Sequence, residues 1–315
     1  MARVLVTGAT GLIGNSLVRH LLGQGADLRA LVRAGSDPRP LEGLAVERAV
    51  GDVRDPASLE RAAAGVSVVY HAAGWVVIGT RGLAQARAVN VAGTRAVARA
   101  ARAAGARLVH VSSVDTLGED PSAVPYVISK REAEAAVQSE IALGLDAVIV
   151  NPAFTVGPWD WKPSSGRLLL AAARGLARIA APGGNDFCHG ADVAAGIVAA
   201  GERGRRGERY VLSGESLSYR RAFEMIAVIT GGPRPLLTAP ALAVRAAGWC
   251  GTAFGAVTGR EPDFNAASAA FGCEPHHFDD ARARAELGYR PRPAREAFGD
   301  AWVWLVERGY ARGRN

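Results

Sequence analysis

The chain has 315 residues, 49% apolar and 21% charged, a globular balance that excludes a disordered chain and provides for one large or two modest domains. The formal charge of +7 comes from arginines scattered among alanines and glutamates rather than from a basic run, which argues against a nucleic-acid partner. No apolar run reaches membrane-spanning length: the best, 239–259, is broken by Arg245 and several glycines.

The first element is a short apolar strand, Val4 to Val6, followed at once by Gly8, Gly11 and Gly14 and then by an apolar helical pattern through Leu17, Val18, Leu21 and Leu22. Strand, tight glycine turn and helix in this order suit a dinucleotide. The glycines allow the turn, the approach of a pyrophosphate to the backbone and close helix–strand packing, and the helix N-terminus offers free N–H groups. Thr10, Leu12 and Ile13 lie in the same turn. Further strands are expected at 28–32, 45–50, 66–70, 108–111 and 147–150, separated by helices opening at Pro56 and covering 83–104 and 126–143. This alternation predicts an α/β fold, a Rossmann-type doubly wound parallel sheet with ligands at the carboxyl ends of its strands.

Beyond Pro152 the rhythm loosens. A segment rich in Pro, Trp and Gly (155–165) suits a substrate loop, a further strand and helix are expected at 187–200, and a short strand at 209–212. The remainder reads as mostly helical. The expected division is a dinucleotide-binding domain over 1–151, with 186–212 returning to it. A smaller, mostly helical substrate domain then takes 152–185 and 213–315.

Lys130 and Lys162 are the only lysines among 37 basic residues, so an ammonium at either place invites a reason. Lys130 follows Tyr126 by four, which sets phenol and ammonium on one helical face. A nearby ammonium favours phenolate and brings the tyrosine toward a working range for proton transfer. Ser113, at the end of the fifth strand, shares the same cleft and can hold a substrate oxygen. Cys188, Cys250 and Cys273 stand in no metal spacing, and the histidines His189, His276 and His277 form no ligand set. No metal is expected, and the setting is a reducing cytoplasm without a leader segment. Asp192 is expected to cap a helix.

Taken together, Thr7 to Gly14, Gly51-Asp52-Val53, His71-Ala72-Ala73, Asn90 to Thr94, Val111-Ser112-Ser113, Tyr126 to Lys130 and Glu286 to Pro291 resemble the extended short-chain dehydrogenase/reductases over nearly the whole chain. The resemblance implies Tyr126 as acid/base, Lys130 as the residue that binds nicotinamide ribose and tunes the tyrosine, and Ser113, rather than Ser112, as the one orienting the substrate. It places Asp52 and Val53 by the adenine, Ala72, Ala73 and Gly74 along the nicotinamide side, Asn151 and Pro152 at the cofactor from strand six, and Asn90 in a structural polar role. An NAD-type site wants a carboxylate at the end of the second strand, where this chain has Arg33 and no acid until Asp37. A guanidinium there suits a 2′-phosphate, so NADP(H) is favoured and NAD(H) stays open.

Phe154 stands where sugar-nucleotide members carry asparagine, and the chain looks more like the dihydroflavonol-reductase and hydroxysteroid-dehydrogenase branch. Trp159, Trp161, Lys162 and Arg167 could form an aromatic wall with two cations for an acidic or phenolic substrate, with core or lid packing an equal alternative for the tryptophans. Ser113 and Tyr126 are only 13 positions apart, so the loop 115–125 is shorter than in most extended members. The helices at 83–104 and 127–143 could pair two copies, as family dimers do. The leading function is hydride transfer between nicotinamide and a carbonyl or alcohol of a small organic substrate. The alternatives are a sugar or nucleotide-sugar epimerase or dehydratase that retains its cofactor, and a non-catalytic NADP-binding regulator.

Overall fold

The computed structural model describes residues 3–118, 124–260 and 262–312. Alternating apolar residues build the first layer. β1 (Val4–Thr7) sends Val4 and Val6 to one face and Leu5 to the other, and β6 (Ala147–Pro152) divides Val148 and Val150 from Ala147 and Ile149 in the same way. Both faces are therefore buried, as a parallel sheet requires. With β2 (Leu28–Val32), β3 (Glu47–Val50), β4 (Val68–His71), β5 (Arg107–Val111) and β10 (Arg209–Leu212) these strands form a seven-stranded parallel sheet in the order β10-β6-β5-β4-β1-β2-β3. The order reverses between β4 and β1, which opens a crevice at the carboxyl ends of those two strands.

One face carries α1 (Leu12–Gly23) and α7 (Gly190–Arg203); the other carries α2 (Pro56–Ala63), α4 (Thr94–Ala103) and α5 (Pro125–Ala142). The helix expected over 83–104 is interrupted. A short α3 (Leu83–Ala86) runs through a π-helical turn, Arg87–Gly93, before α4 begins. The bulge has a visible role. It turns Asn90 inward, where its side chain accepts from Trp75 N (2.7 Å) and donates to Trp75 O and Ser129 Oγ (3.0 and 2.9 Å). The apolar faces of α4 and α5 pack inside the chain: Val97, Ala98, Ala101 and Val137 are buried together, and Glu140 takes Arg99 and Arg102 across the pair.

The second unit has its own small sheet. Only α7 and β10 of the 186–212 segment return to the first layer. β9 (Gly184–His189) instead pairs with β7 (Phe154–Val156), β11 (Glu215–Ser218) and β13 (Pro275–His276). Around it pack α6 (Gly166–Ala173), α8 (Tyr219–Thr230) and α12 (Ala294–Glu307), with Phe187, Phe298, Trp161, Trp304 and Leu305 at the centre. Phe187 meets Phe298 and Phe154 edge to face at 5.2 and 5.3 Å. A further pair of helices, α9 (Ala241–Thr258) and α10 (Ala266–Cys273), lies beside the opening of the crevice, and the short strands β8 (Ile179–Ala180) and β12 (Leu237–Thr238) pair next to it. The chain then returns through α11 (Ala281–Leu287) to pack on α7 and β10.

Candidate active site

The opening turn is built by exclusion. Gly8 has φ +73°, and a Cβ there would meet the Ala72–Ala73 backbone at 2.5 Å. A Cβ on Gly14 would strike the Gly8 carbonyl oxygen at 2.1 Å, whereas one on Gly11 would meet nothing nearer than 3.6 Å. Two glycines thus allow contact and the third faces open space. No side chain caps α1, so the N–H groups of its first turn face that space unpaired by a cap. The ends of β1 and β4 are tied beneath it by His71, whose ring joins Thr7 Oγ1 (2.7 Å) and Thr94 Oγ1 (2.9 Å). Complete burial, with Lys130 nearby, pushes this imidazole down to about 3, so it is neutral and serves as a strut.

Beyond the ends of β2 and β3 lies a cavity of about 590 Å³, lined among others by Arg33, Ser36, Asp52, Arg54, Arg61 and Lys162. Asp52 is bound to Arg54 at 2.8 and 2.9 Å, and this hydrogen bonding holds its carboxyl down to about 2. Asp37 is likewise taken by Arg39. Among the described residues, Arg33, Arg61 and Lys162 have no carboxylate within 4.0 Å, and with Arg54 they outnumber the lining carboxylates Asp37, Asp52 and Asp55 by one. Val53 does not open to it; it packs under Gly93.

At the next strand end, Ser113 Oγ donates to Asp115 Oδ2 (2.8 Å) and interacts with the Tyr126 phenol. Lys130 stands one turn along α5 and donates from Nζ to the Val111 carbonyl (2.7 Å), beside Gly74. The helix thus puts Tyr126 and Lys130 on one face, as their spacing implies. The electrostatics differ from the expectation. Burial, reinforced by the Asp115 charge, pushes the phenol above its ordinary value, and only Ser113 acts against this. Burial lowers Lys130 to about 8. The lysine therefore does not draw the tyrosine toward phenolate here, because both groups are desolvated together and the ammonium is turned to a carbonyl. Ser112 Oγ is buried without a hydrogen-bond partner among the described residues.

Asn151 is turned away from the crevice. Its Nδ2 donates to Ser113 O (2.9 Å), Thr116 Oγ1 (3.1 Å) and Glu134 Oε1 (2.8 Å), so the side chain braces the Ser113 loop instead of reaching toward a cofactor. Pro152 is buried in register with Leu212 of β10. Glu134, itself buried, also pairs with Arg209 at 3.0 Å. Glu134 and Asp115 escape a reading by motif. Each lies within reach of one on the chain, however: Glu134 one turn after Lys130, Asp115 two residues after Ser113.

The aromatic wall expected at 159–167 is not assembled. Asp160 accepts from the N–H groups of Ser164 (2.8 Å) and Gly166 (2.9 Å), folding the segment into the head of α6. Trp161 is thereby driven into the second core, 7% exposed, against Trp304 at 5.3 Å. Trp159 adopts φ +74° and lies under the Arg19 guanidinium of α1, 3.5 Å from its ring centre. Lys162 projects to the cavity at Arg33, and Arg167 pairs at the surface with Asp263 (2.9 Å). Phe154 packs on Phe187. Of these five, the segment brings none to the phenol. The wall there is apolar and comes from elsewhere: Ile78, Val124, Val127, Ala267 and Phe271. The loop 115–125 is described only to 118 and from 124, so its middle lies outside the described residues.

The helix start expected at Asp192 is capped instead by His189, whose Nδ1 accepts from Ala191 N (2.9 Å). Asp192 holds Arg292 by its N–H (2.8 Å) and its guanidinium (2.9 Å), clasping the end of the chain to α7. His277 pairs with the buried Asp186 (2.9 Å). No group of three or more His, Cys, Asp or Glu side chains among the described residues is placed to hold a metal.

Residues 4–213 match the family model described as NAD dependent epimerase/dehydratase family. The chain is 39% identical to sterol demethylase protein B of Methylococcus capsulatus, across 97% of this chain and 98% of that protein. It is 33% identical to a putative dihydroflavonol 4-reductase of Synechocystis sp., across 98% and 95%. The crystal structure of gox2253 superposes with a TM-score of 0.86 at 34% identity, covering 99% of this chain and all of that one.

Proposed function

The chain belongs to the NAD-dependent epimerase/dehydratase family and is an NAD(P)-dependent oxidoreductase of the extended short-chain type; on that premise we propose that it reduces an apolar cyclic ketone with NADP(H), Tyr126 giving the proton. The observation that carries this reading is the face of α5 that sets the Tyr126 phenol beside Ser113 at the end of β5 and Lys130 beside Gly74 after β4. A protonated phenol is a general acid, which is the form that carbonyl reduction consumes.

A dinucleotide fits the open side of the glycine turn, where a Cβ is sterically admissible only on Gly11 and the first turn of α1 has no side-chain cap. When bound it supplies the hydride. The protein supplies the rest. Ser113 fixes the substrate oxygen, Tyr126 protonates it, and Lys130 beside Gly74 holds the ribose hydroxyls. Thr10, Leu12 and Ile13 would face the pyrophosphate, Ala72 and Ala73 the nicotinamide, and Asp52 the adenine side, with Val53 left to the core under Gly93. Preference for the 2′-phosphate is supported by Arg33 and Lys162, cations in the cavity past β2 that have no carboxylate within 4.0 Å among the described residues.

The substrate class is supported by the apolar wall at the phenol, Ile78, Val124, Ala267 and Phe271, and by relatives named for a sterol and for a dihydroflavonol. The Phe154 ring, occupied with Phe187, counts against a sugar-nucleotide epimerase. We propose further that two copies pair through the outer sides of α4 and α5, and that the chain works in the cytoplasm, which its free cysteines support. The dinucleotide-binding domain would comprise 1–151 with α7 and β10. The test is a panel of cyclic ketones and alcohols read at the nicotinamide absorbance with each cofactor. Turnover of ketones with NADPH is expected; inversion of a sugar nucleotide with a retained cofactor would replace this reading.

A further inference from the structure

The helix α9 is peculiar in what it leaves outside. Its inward face is small: Gly248 and Gly251 lie so close to Ala269 and Phe264 that a Cβ on either would collide at 2.4 and 2.2 Å, and this presses α9 flat on α10. The other side of α10 reaches the active site, where Ala267 and Phe271 pack with Val124, Tyr126 and Val127. At about 100° per residue, Leu242, Ala246, Trp249, Ala253 and Val257 fall on one stripe about 22 Å long, opposite the buried Val244, Gly248 and Gly255. That stripe is bare. Leu242 is 81% exposed, Trp249 67% and Val257 88%, and Phe254 adjoins it.

The patch extends past the helix. β12 pairs with β8, Leu237 in register with Ile179, and both are exposed, as are Leu236 and Leu176. Of the sixteen exposed large apolar side chains among the described residues, eight lie in 176–179 and 236–257, under a tenth of the chain. Such density in so short a part of the chain exceeds the usual scatter of single exposed apolar side chains.

Charge selects the occupant. The segments 174–181 and 231–259 contain Arg174, Arg178, Arg234 and Arg245, all exposed, and no aspartate or glutamate, whereas Arg260 is followed at once by Glu261 and Asp263. Arg245 is balanced by Glu274, and nearby Glu224 serves Arg220 and Arg221. For Arg174, Arg178 and Arg234 no carboxylate stands within 4.0 Å among the described residues. Apolar side chains with an indole among them, set between unbalanced arginines, match the headgroup region of an anionic bilayer. A second copy would bring the same arginines against one another. No described helix is long and apolar enough to cross a membrane, so contact would be in the plane.

We propose that the exposed face of α9, with the β8–β12 edge, docks the enzyme on the surface of a membrane bearing anionic phospholipid, and that an apolar substrate enters the crevice from there past α10. The docking goes beyond the proposed reaction; the entry route rests on it. The test is co-sedimentation of the full chain, loaded with NADPH, with vesicles of phosphatidylcholine alone or containing phosphatidylglycerol. Binding to the anionic vesicles at least fivefold above the neutral ones is expected. Leu242→Gln/Val257→Gln, at positions too exposed to carry the fold, should reduce that binding at least tenfold while NADPH affinity and turnover of a water-soluble ketone stay unchanged. Arg178→Gln/Arg234→Gln should lose the preference for anionic lipid. A chain that stays in the supernatant with both vesicles, or an apolar variant that sediments like the wild type, would overturn the proposal. So would a homodimer seen by sedimentation velocity that the Leu242→Gln/Val257→Gln variant splits. Failure to use NADPH leaves the vesicle result intact and strikes only the reaction.

Discussion

The turn from Thr7 to Gly14 and the crossing segment from Gly157 to Ser165 both lie against α1, yet they are specified in opposite ways. In the turn every constraint is local: Gly14 must clear the carbonyl of Gly8, six residues away, and the strand and helix on either side follow from apolar period. In the crossing segment the partners are remote. Trp159 needs Arg19, Trp161 needs Trp304, and Lys162 reaches the cavity at Arg33. Residue types in the segment reveal an unusual composition but not the direction each side chain takes. That direction is set by Asp160, which folds the segment on itself.

If the comparison holds, variants in the first unit should abolish function and variants in the crossing segment should only tune it. Tyr126→Phe removes the only proton that the phenol can give, and kcat should fall about 10³-fold with NADPH affinity nearly unchanged, as measured by turnover and fluorescence titration. A fall in both alike would mean that the phenol is a packing residue. Gly14→Ala forces a methyl onto the Gly8 carbonyl; a cost of about 2–3 kcal/mol should appear as a lower melting temperature together with weakened binding of both cofactors. The third expectation concerns pH. Lys130, lowered to about 8 by burial, is an ammonium below that value and an amine above it. Cofactor affinity that relies on the charge should therefore fall by up to about tenfold per unit as pH rises beyond about 8, read by titration of the free enzyme. The contribution of the same group to stability has the opposite slope. The unfolded chain binds this proton up to about 10.5, so folding becomes easier between about pH 8 and 10.5.

The smallest effects should come where the two regions meet. Arg33→Ala should weaken NADPH about tenfold and leave NADH unaffected, whereas Lys162→Met, at an exposed site, should cost about fourfold for NADPH alone. Equal losses for both cofactors would assign these side chains to the fold. Wild-type protein that binds NADH as well as NADPH would reverse the cofactor preference itself.

This contrast also marks how far the sequence can be read. The parallel sheet, the glycine turn and the Tyr126–Lys130 spacing are legible because backbone period and sterics dictate them. The π-helical turn at Arg87–Gly93 is not, since its helical period is nearly that of the flanking turns and only the inward reach of Asn90 to Trp75 and Ser129 distinguishes it. The same holds for Asn151, which a strand-end position assigns to the ligand but which Glu134, brought up by α5, draws into a brace under Ser113. Asp115 shows the converse, a carboxyl raised by burial that accepts from Ser113 two residues before it and that no motif names.

The late return of β10 to the first sheet bears on how the chain can be cut. β6, every residue of it buried, has β5 on one side and β10 on the other. A fragment ending at residue 151 would strip that second neighbour and bare a ladder of unpaired amides along an apolar strand, a template for edge-to-edge aggregation. Expression of the first unit alone should therefore yield inclusion bodies, and a splice that carries residues 190–212 behind a flexible linker should restore solubility.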